Sequence, residues 1–228
     1  MSKIVYKNED FLIVNKDAGQ SSQSDKTGEM SLLDECSFLL KSEGKSDEIY
    51  LVHRLDKVVG GLLVFARNKT TAAKLSKDLD EEDFSKDYLA VVDGVPLEGE
   101  YKDYLCKNSV LGKSEIVSSN KSGAKEAILN LIPIESVSTS KGTKTLVKIK
   151  LQTGRFHQIR AQLSSRECPI VGDKKYGSKD SGIRFPSLFA YMISFKYKNQ
   201  IITQKLLPDI NLYPWNLFDK TNYEELIK

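Results

Sequence analysis

The run His53-Arg54-Leu55-Asp56-Lys57-Val58-Val59-Gly60-Gly61 gathers an imidazole, two cations and one carboxylate directly ahead of a double glycine. An ionised aspartate can attack an electrophilic carbon or remove a proton, and a nearby guanidinium can pair with an anion. The flanking Ile49-Tyr50-Leu51-Val52 and Leu62-Leu63-Val64-Phe65-Ala66 read as buried strands, so the polar run falls where a strand breaks into a turn. Scaffolds present catalytic side chains at such places. A plain turn aspartate, followed by glycines that supply positive φ, explains the same residues without catalysis. A second constellation is Leu151-Gln152-Thr153-Gly154-Arg155-Phe156-His157-Gln158-Ile159-Arg160. Thr153-Gly154 is expected to open a helix with Phe156, Ile159 and Leu163 on its core stripe. On that helix Arg155 and Arg160 lie about 140° apart around the axis. They then serve different tasks, Arg155 reaching a pocket and Arg160 reaching backbone or phosphate. A third segment, Lys86-Asp87-Tyr88, sets a phenol at the start of a strand, where a tyrosine is most often core with a wet tip.

The remaining pattern supplies elements to position these groups. Ile4-Val5-Tyr6 and Phe11-Leu12-Ile13-Val14 form a hairpin around Lys7-Asn8-Glu9-Asp10, and Ser31 caps a short helix from Leu33 to Leu40. Asn68 caps a helix over Thr70 to Leu79, ended by the acidic Asp80-Glu81-Glu82-Asp83. Strands follow at Tyr88–Val92, Ala124–Ile134 and Thr143–Leu151, and a last pair, Ala190–Phe195 and Ile201-Ile202, turns around Asn199. Many strands with few helices predict an α+β fold with a largely antiparallel sheet.

Composition narrows the chemistry. The chain has 228 residues, enough for a substantial core, and no apolar stretch near the length that spans a bilayer. A cytoplasmic protein is expected, since no signal-peptide pattern opens it. Cys36, Cys106 and Cys168 are far apart, and with only two histidines no metal and no disulfide framework is expected. From Lys141 to Lys205, 14 Lys and Arg stand against 3 Asp and Glu, whereas the rest carries 20 against 28. Such a basic segment suits a polyanion, although a solvated lysine-rich face gives the same count. Arginine is scarce, with six against 28 lysines, and three of the six lie in the two histidine-bearing segments.

Taken in order, these motifs resemble the RluA-type pseudouridine synthases. That family carries H-R-L-D before a glycine-ended turn, then K-x-Y, T-G-R-x-H-Q-I-R and P-I-x-G-D-x-x-Y-G. This chain has His53-Arg54-Leu55-Asp56, Lys86 to Tyr88, Thr153 to Arg160, and Pro169-Ile170-Val171-Gly172-Asp173-Lys174-Lys175-Tyr176-Gly177. The opening hairpin through Asn15-Lys16 and Ala18-Gly19 also looks like the family's first hairpin. The resemblance implies the pseudouridine synthase fold, with flanking helices and loops around a central RNA-binding cleft. It implies one catalytic domain over residues 1–228, without an added N-terminal RNA-binding domain. It implies an RNA substrate, tRNA or rRNA, whose uridine loses its C–N glycosidic bond and is rejoined through carbon 5 without a cofactor.

By resemblance Asp56 is the catalytic carboxylate, Arg155 the arginine that favours and positions it, and Tyr88 the ring that stacks on uracil. A base inside folded RNA must be flipped out to react, and the resemblance makes Arg54 the wedge that fills the vacated stack. His53, His157, Arg160, Lys174 and Lys175 complete the expected RNA contacts, and a monomer is expected. The chain departs from the family at Val59-Gly60, where T-S is usual before the glycine. It departs again at Asp17, where N-K-P-x-G has proline, and at Phe189, where L-H-A has histidine. The first change removes two hydroxyls from the loop that holds Asp56. A synthase-fold protein that binds RNA as a chaperone without catalysis is the competing reading. A carboxylate-pair glycoside hydrolase ranks last, because no second acid accompanies Asp56.

Overall fold

The computed structural model describes residues 3–25, 28–44, 46–80, 84–180 and 182–228. Strands β1 (Lys3–Lys7) and β2 (Phe11–Lys16) form the opening hairpin, whose turn closes on Asn8 Oδ1 through the N–H groups of Asp10 and Phe11 at 2.9 and 2.8 Å. Helix α1 (Leu32–Ser42) starts at Ser31, which exchanges hydrogen bonds with Asp34 in a capping box. Strands β3 (Tyr50–Leu51) and β4 (Gly60–Ala66) bracket the Asp56 run. Helix α2 (Lys69–Asp80) begins where Asn68 Oδ1 accepts the Thr71 N–H at 2.8 Å. The acidic stop expected after it, Glu81-Glu82-Asp83, lies outside the described residues.

Then come β5 (Phe84–Asp93), β6 (Gly99–Asn108), β7 (Lys113–Val117), β8 (Lys125–Thr139) and β9 (Gly142–Leu151). Helix α3 (Gln158–Ser164), a 3-10 turn at Lys174–Tyr176, β10 (Leu188–Tyr197), β11 (Gln200–Lys205) and α4 (Lys220–Ile227) complete the chain. Sequence reading missed β6 and β7, because β6 buries only Tyr101 and Leu105 deeply and its other residues read as polar loop.

The chain forms two compact units, each made of two stretches: residues through Ser85 with Ala190–Leu206, and Lys86–Phe189 with Leu207–Lys228. In the first unit the strand order is β1-β2-β4-β10, with β3 on β4 and β11 on β10. The β1–β2, β2–β4, β3–β4 and β10–β11 pairs are antiparallel. Phe11, Ile13, Leu62, Val64, Leu75, Phe84, Ile193 and Phe195 form its core, with Phe84 and Phe195 stacked at 4.9 Å. In the second unit the order β5-β9-β8-β6-β7 is antiparallel throughout.

The second glycine of the pair, Gly61, has a steric reason. Gly61 sits at φ +116°, and a β-carbon there would lie 2.5 Å from the Ala190 nitrogen and closer still to its carbonyl oxygen. Backbone on both sides leaves nothing to yield. Gly61→Ala is therefore expected to lower stability by about 2–3 kcal/mol, read as a lower urea midpoint; an unchanged midpoint would show that β4 and β10 can separate at no cost.

Candidate active site

In the first unit, the β3–β4 loop holds Asp56 half-buried. Its turn closes on a backbone bond from the Val59 N–H to the Asp56 carbonyl at 2.9 Å, and the Val59 side chain is buried. A second loop clamps the first. Ser22 Oγ donates to the Leu55 carbonyl at 3.1 Å and accepts the Leu55 N–H at 3.2 Å, and the Gly19 N–H donates to Lys57 O at 2.7 Å.

The pin of this assembly is Lys16, which sequence reading noted only as part of a motif. Its side chain is fully buried and donates to the carbonyls of Asp17, Gln20 and Lys57 at 3.0, 2.7 and 3.2 Å. Burial pushes its pKa down to about 8, while the Asp56 and Asp17 carboxylates pull the other way. Lys16 thus remains an ammonium at neutral pH and is a fixed positive charge within reach of Asp56. A lysine closing the fully buried run Phe11–Val14 was the available signal. The neighbouring Lys57 ammonium turns instead to Glu29 at 2.6 Å and Asp25 at 3.6 Å.

The two other predicted residues of this loop diverge. Arg54 is exposed. His53, expected at RNA, accepts the Val64 N–H on Nε2 at 3.2 Å and sets its ring edge-on to Phe84. It braces the strand pair.

In the second unit, Tyr88 stands two residues along from Lys86, and the register pairs Lys86 with Leu151 and Tyr88 with Ile149. Strand β9 ends at Leu151 and leads into Thr153–His157, so Tyr88 and Arg155 lie at one end of this unit; a β-carbon on Gly154 would be 3.8 Å from Lys86 Nζ. Tyr88 is nearly buried, and the adjacent Asp87 pairs with Lys148 at 3.6 Å.

The helix expected from Thr153 starts only at Gln158. The physical cause is Gln158, whose Oε1 accepts from Thr153 Oγ1 at 2.8 Å and from the Arg155 N–H at 3.0 Å, while its Nε2 donates to Ile128 O at 3.1 Å. These bonds hold residues 153–157 as a loop. Arg155 is exposed and donates Nε to Glu126 O at 2.7 Å. Phe156, expected in the core, is half-buried and stacks on His157 with centroids 3.8 Å apart.

His157 takes the left-handed conformation at φ 53°, and its Nδ1 shares a 3.0 Å hydrogen bond with the Tyr176 hydroxyl. Burial first, then the charges of Arg160, Lys175 and Lys107, push its pKa down to about 3, so the ring is neutral at pH 7. Its unfolded value is near 6.5. Its stabilising contribution is therefore complete above pH 6.5 and is lost progressively as pH falls toward 3. The wild type should lose more stability than His157→Asn between pH 7 and pH 5 in urea titrations; equal losses would contradict a neutral, half-buried ring.

Arg160 corrects its expectation outright. It is 4% exposed and grips Asp173 with two bonds, Nε–Oδ2 at 2.6 Å and Nη2–Oδ1 at 2.9 Å, over the Tyr176 ring. It locks α3 to the Gly172-Asp173 turn and does not reach a phosphate. Lys174 and Lys175 are exposed, as RNA contacts require. The basic segment is accordingly smaller than its count, since Lys144, Lys148, Arg160 and Arg166 are paired with Asp93, Asp87, Asp173 and Asp103. Among the described residues no cluster of His, Cys, Asp and Glu is arranged to hold a metal, and no helix is long and apolar enough to cross a membrane.

Comparison with known proteins gives these positions a context. The model of the RNA pseudouridylate synthase family matches residues 10–165, which include Asp56, Tyr88 and Arg155. An uncharacterized RNA pseudouridine synthase of Haemophilus influenzae is 31% identical over 215 residues, covering 90% of this chain and 87% of that protein. The ribosomal large subunit pseudouridine synthase C of Rickettsia bellii is 33% identical over 179 residues, covering 77% of this chain; the match spans only 56% of that longer relative. Among solved structures, human RNA pseudouridylate synthase domain containing 1 superposes with a TM-score of 0.77 at 24% identity, over 94% of this chain and 86% of that one. That likeness bears on the fold.

Proposed function

The chain belongs to the RNA pseudouridylate synthase family, of the RluA type, and from that premise we propose that it converts a specific uridine of tRNA or rRNA to pseudouridine. The observation that carries the proposal is the clamped loop. Asp56 stands in a matched family segment on a turn fixed by Lys16, Ser22 and Gly19, with an ammonium held within electrostatic reach. A carboxylate so held is oriented for attack or proton removal before substrate arrives.

In this reading the bond from ribose C1′ to uracil N1 breaks, the base turns, and C1′ is rejoined to C5. The C5 hydrogen leaves as a proton while N1 regains one. Asp56 is the acting carboxylate, Tyr88 the ring against uracil, and Arg155 the cation of the reaction. Lys174 and Lys175 hold phosphate. We place the protein in the cytoplasm, acting as a monomer on one catalytic domain.

Loss of the C5 hydrogen supplies the test. Purified protein is incubated with bulk tRNA and with rRNA carrying tritium at uridine C5. Release of tritium to water from either RNA supports the proposal; no release from both would overturn it.

Arg54, exposed beside Asp56, is proposed as the wedge that occupies the stack vacated by the flipped base. Arg54→Ala should then reduce turnover about tenfold more on folded RNA than on a short unpaired strand holding the same uridine, since only folded RNA must be unstacked, at a few kcal/mol. Equal losses on both substrates would assign Arg54 to phosphate binding.

A further inference from the structure

The hairpin of β6 and β7 carries a feature that the roles above leave unused. At its tip Val110 is 94% and Leu111 54% exposed. The tip is built firmly: the Leu111 N–H donates to Asn108 Oδ1 at 3.1 Å, Asn108 Nδ2 donates to Glu115 at 3.2 Å, and Lys175 Nζ donates to Gly112 O at 3.0 Å. Lower down, the Ser114 N–H donates to the Tyr176 hydroxyl at 2.7 Å, and Ser114 Oγ donates to the Phe156 carbonyl. The hairpin is thus bolted to the loop that bears Arg155 and to the turn that bears Lys174 and Lys175. Lys107 and Lys113 flank the tip on its own strands, Lys107 lying over the Phe156 ring at 4.8 Å.

A firmly held apolar tip flanked by Lys107, Lys113 and Lys175 suits a partner that is anionic at its edges and apolar on its faces. A nucleic acid has that chemistry, with phosphates outside and base faces that an aliphatic side chain can wedge or cover. We propose that the β6–β7 tip is a second RNA contact, in which Val110 and Leu111 pack against bases while Lys107, Lys113 and Lys175 hold adjoining phosphates. The inference rests on the RNA-modifying reading and adds to it a surface of the second unit that grips the substrate.

The test compares wild type, Val110→Ser/Leu111→Ser and Lys175→Ala, using bulk tRNA and bulk rRNA over a range of salt concentrations. The double serine variant should bind about tenfold more weakly with an unchanged slope of affinity against salt. Lys175→Ala should lower that slope by about one. Val110→Ser/Leu111→Ser lies on the surface and should keep the wild-type unfolding midpoint, whereas Lys175→Ala gives up its bond to Gly112 O and is compared at a temperature where its own midpoint shows it fully folded. If wild type binds and modifies RNA and the serine variant does both equally well, the tip contact is overturned and the synthase reading stands. If wild type binds neither RNA, both fall. A wild-type dimer that the serine variant converts to monomer would make the tip a self-association surface and overturn the RNA contact.

Discussion

Asp56→Asn is expected to leave a folded protein that binds RNA within about threefold of wild type and forms pseudouridine at least about a thousandfold more slowly, a loss of ~4 kcal/mol in transition-state stabilisation. Folding should survive because the Asp56 turn is held by the backbone bond from the Val59 N–H and by the Ser22 clamp on Leu55. Asparagine keeps the size of the side chain and removes the charge. What disappears is a nucleophile or base, which a neutral amide cannot replace. Single-turnover assays with tritiated RNA, paired with filter binding, separate chemistry from affinity. Retained product formation would remove Asp56 from the mechanism. Binding lost in proportion to turnover would make it an RNA-positioning residue.

The second large effect concerns Arg160. As a phosphate contact, Arg160→Ala would weaken RNA binding and leave unfolding unchanged. Inside the second unit it should do the reverse. Removing the guanidinium strands Asp173, itself 1% exposed, without its bidentate partner. Breaking one side of such a buried pair costs about 3–5 kcal/mol, a large part of the roughly 5–15 kcal/mol that holds a domain folded. Urea unfolding should show that loss, and Arg160→Met/Asp173→Leu should recover much of it because no charge is left buried. A loss below about 1 kcal/mol, typical of exposed pairs, would return Arg160 to the surface.

Features written locally in the chain were the legible ones. Ser31 and Asn68 cap the helices they precede because a cap needs only its own side chain and the next turn. The Phe11–Val14 and Leu62–Ala66 runs were legible as strands because each is a continuous apolar run, and the structure buries both along their length. The α+β class followed from many strands with few helices, and the family from the order of the motifs. Features set by distant partners were not legible. Arg160 and Arg155 look alike in sequence, yet one meets Asp173 in the interior and the other is exposed at Glu126 O. The late start of α3 depends on Gln158 reaching Ile128, and Lys16 depends in part on the Lys57 carbonyl, which only the fold brings to it. Strand β6 hid because most of its side chains are polar and only Tyr101 and Leu105 turn deeply inward.

The central claim is that this chain installs pseudouridine through Asp56. Pseudouridine mapping of total RNA answers it directly, in cells lacking the gene and in the same cells complemented with wild type or Asp56→Asn. The expected result is a tRNA or rRNA site that vanishes without the gene, returns with wild type and stays absent with Asp56→Asn. No vanishing site, or a site restored equally by both versions, would contradict it and leave the chain an RNA-binding protein that keeps the synthase fold.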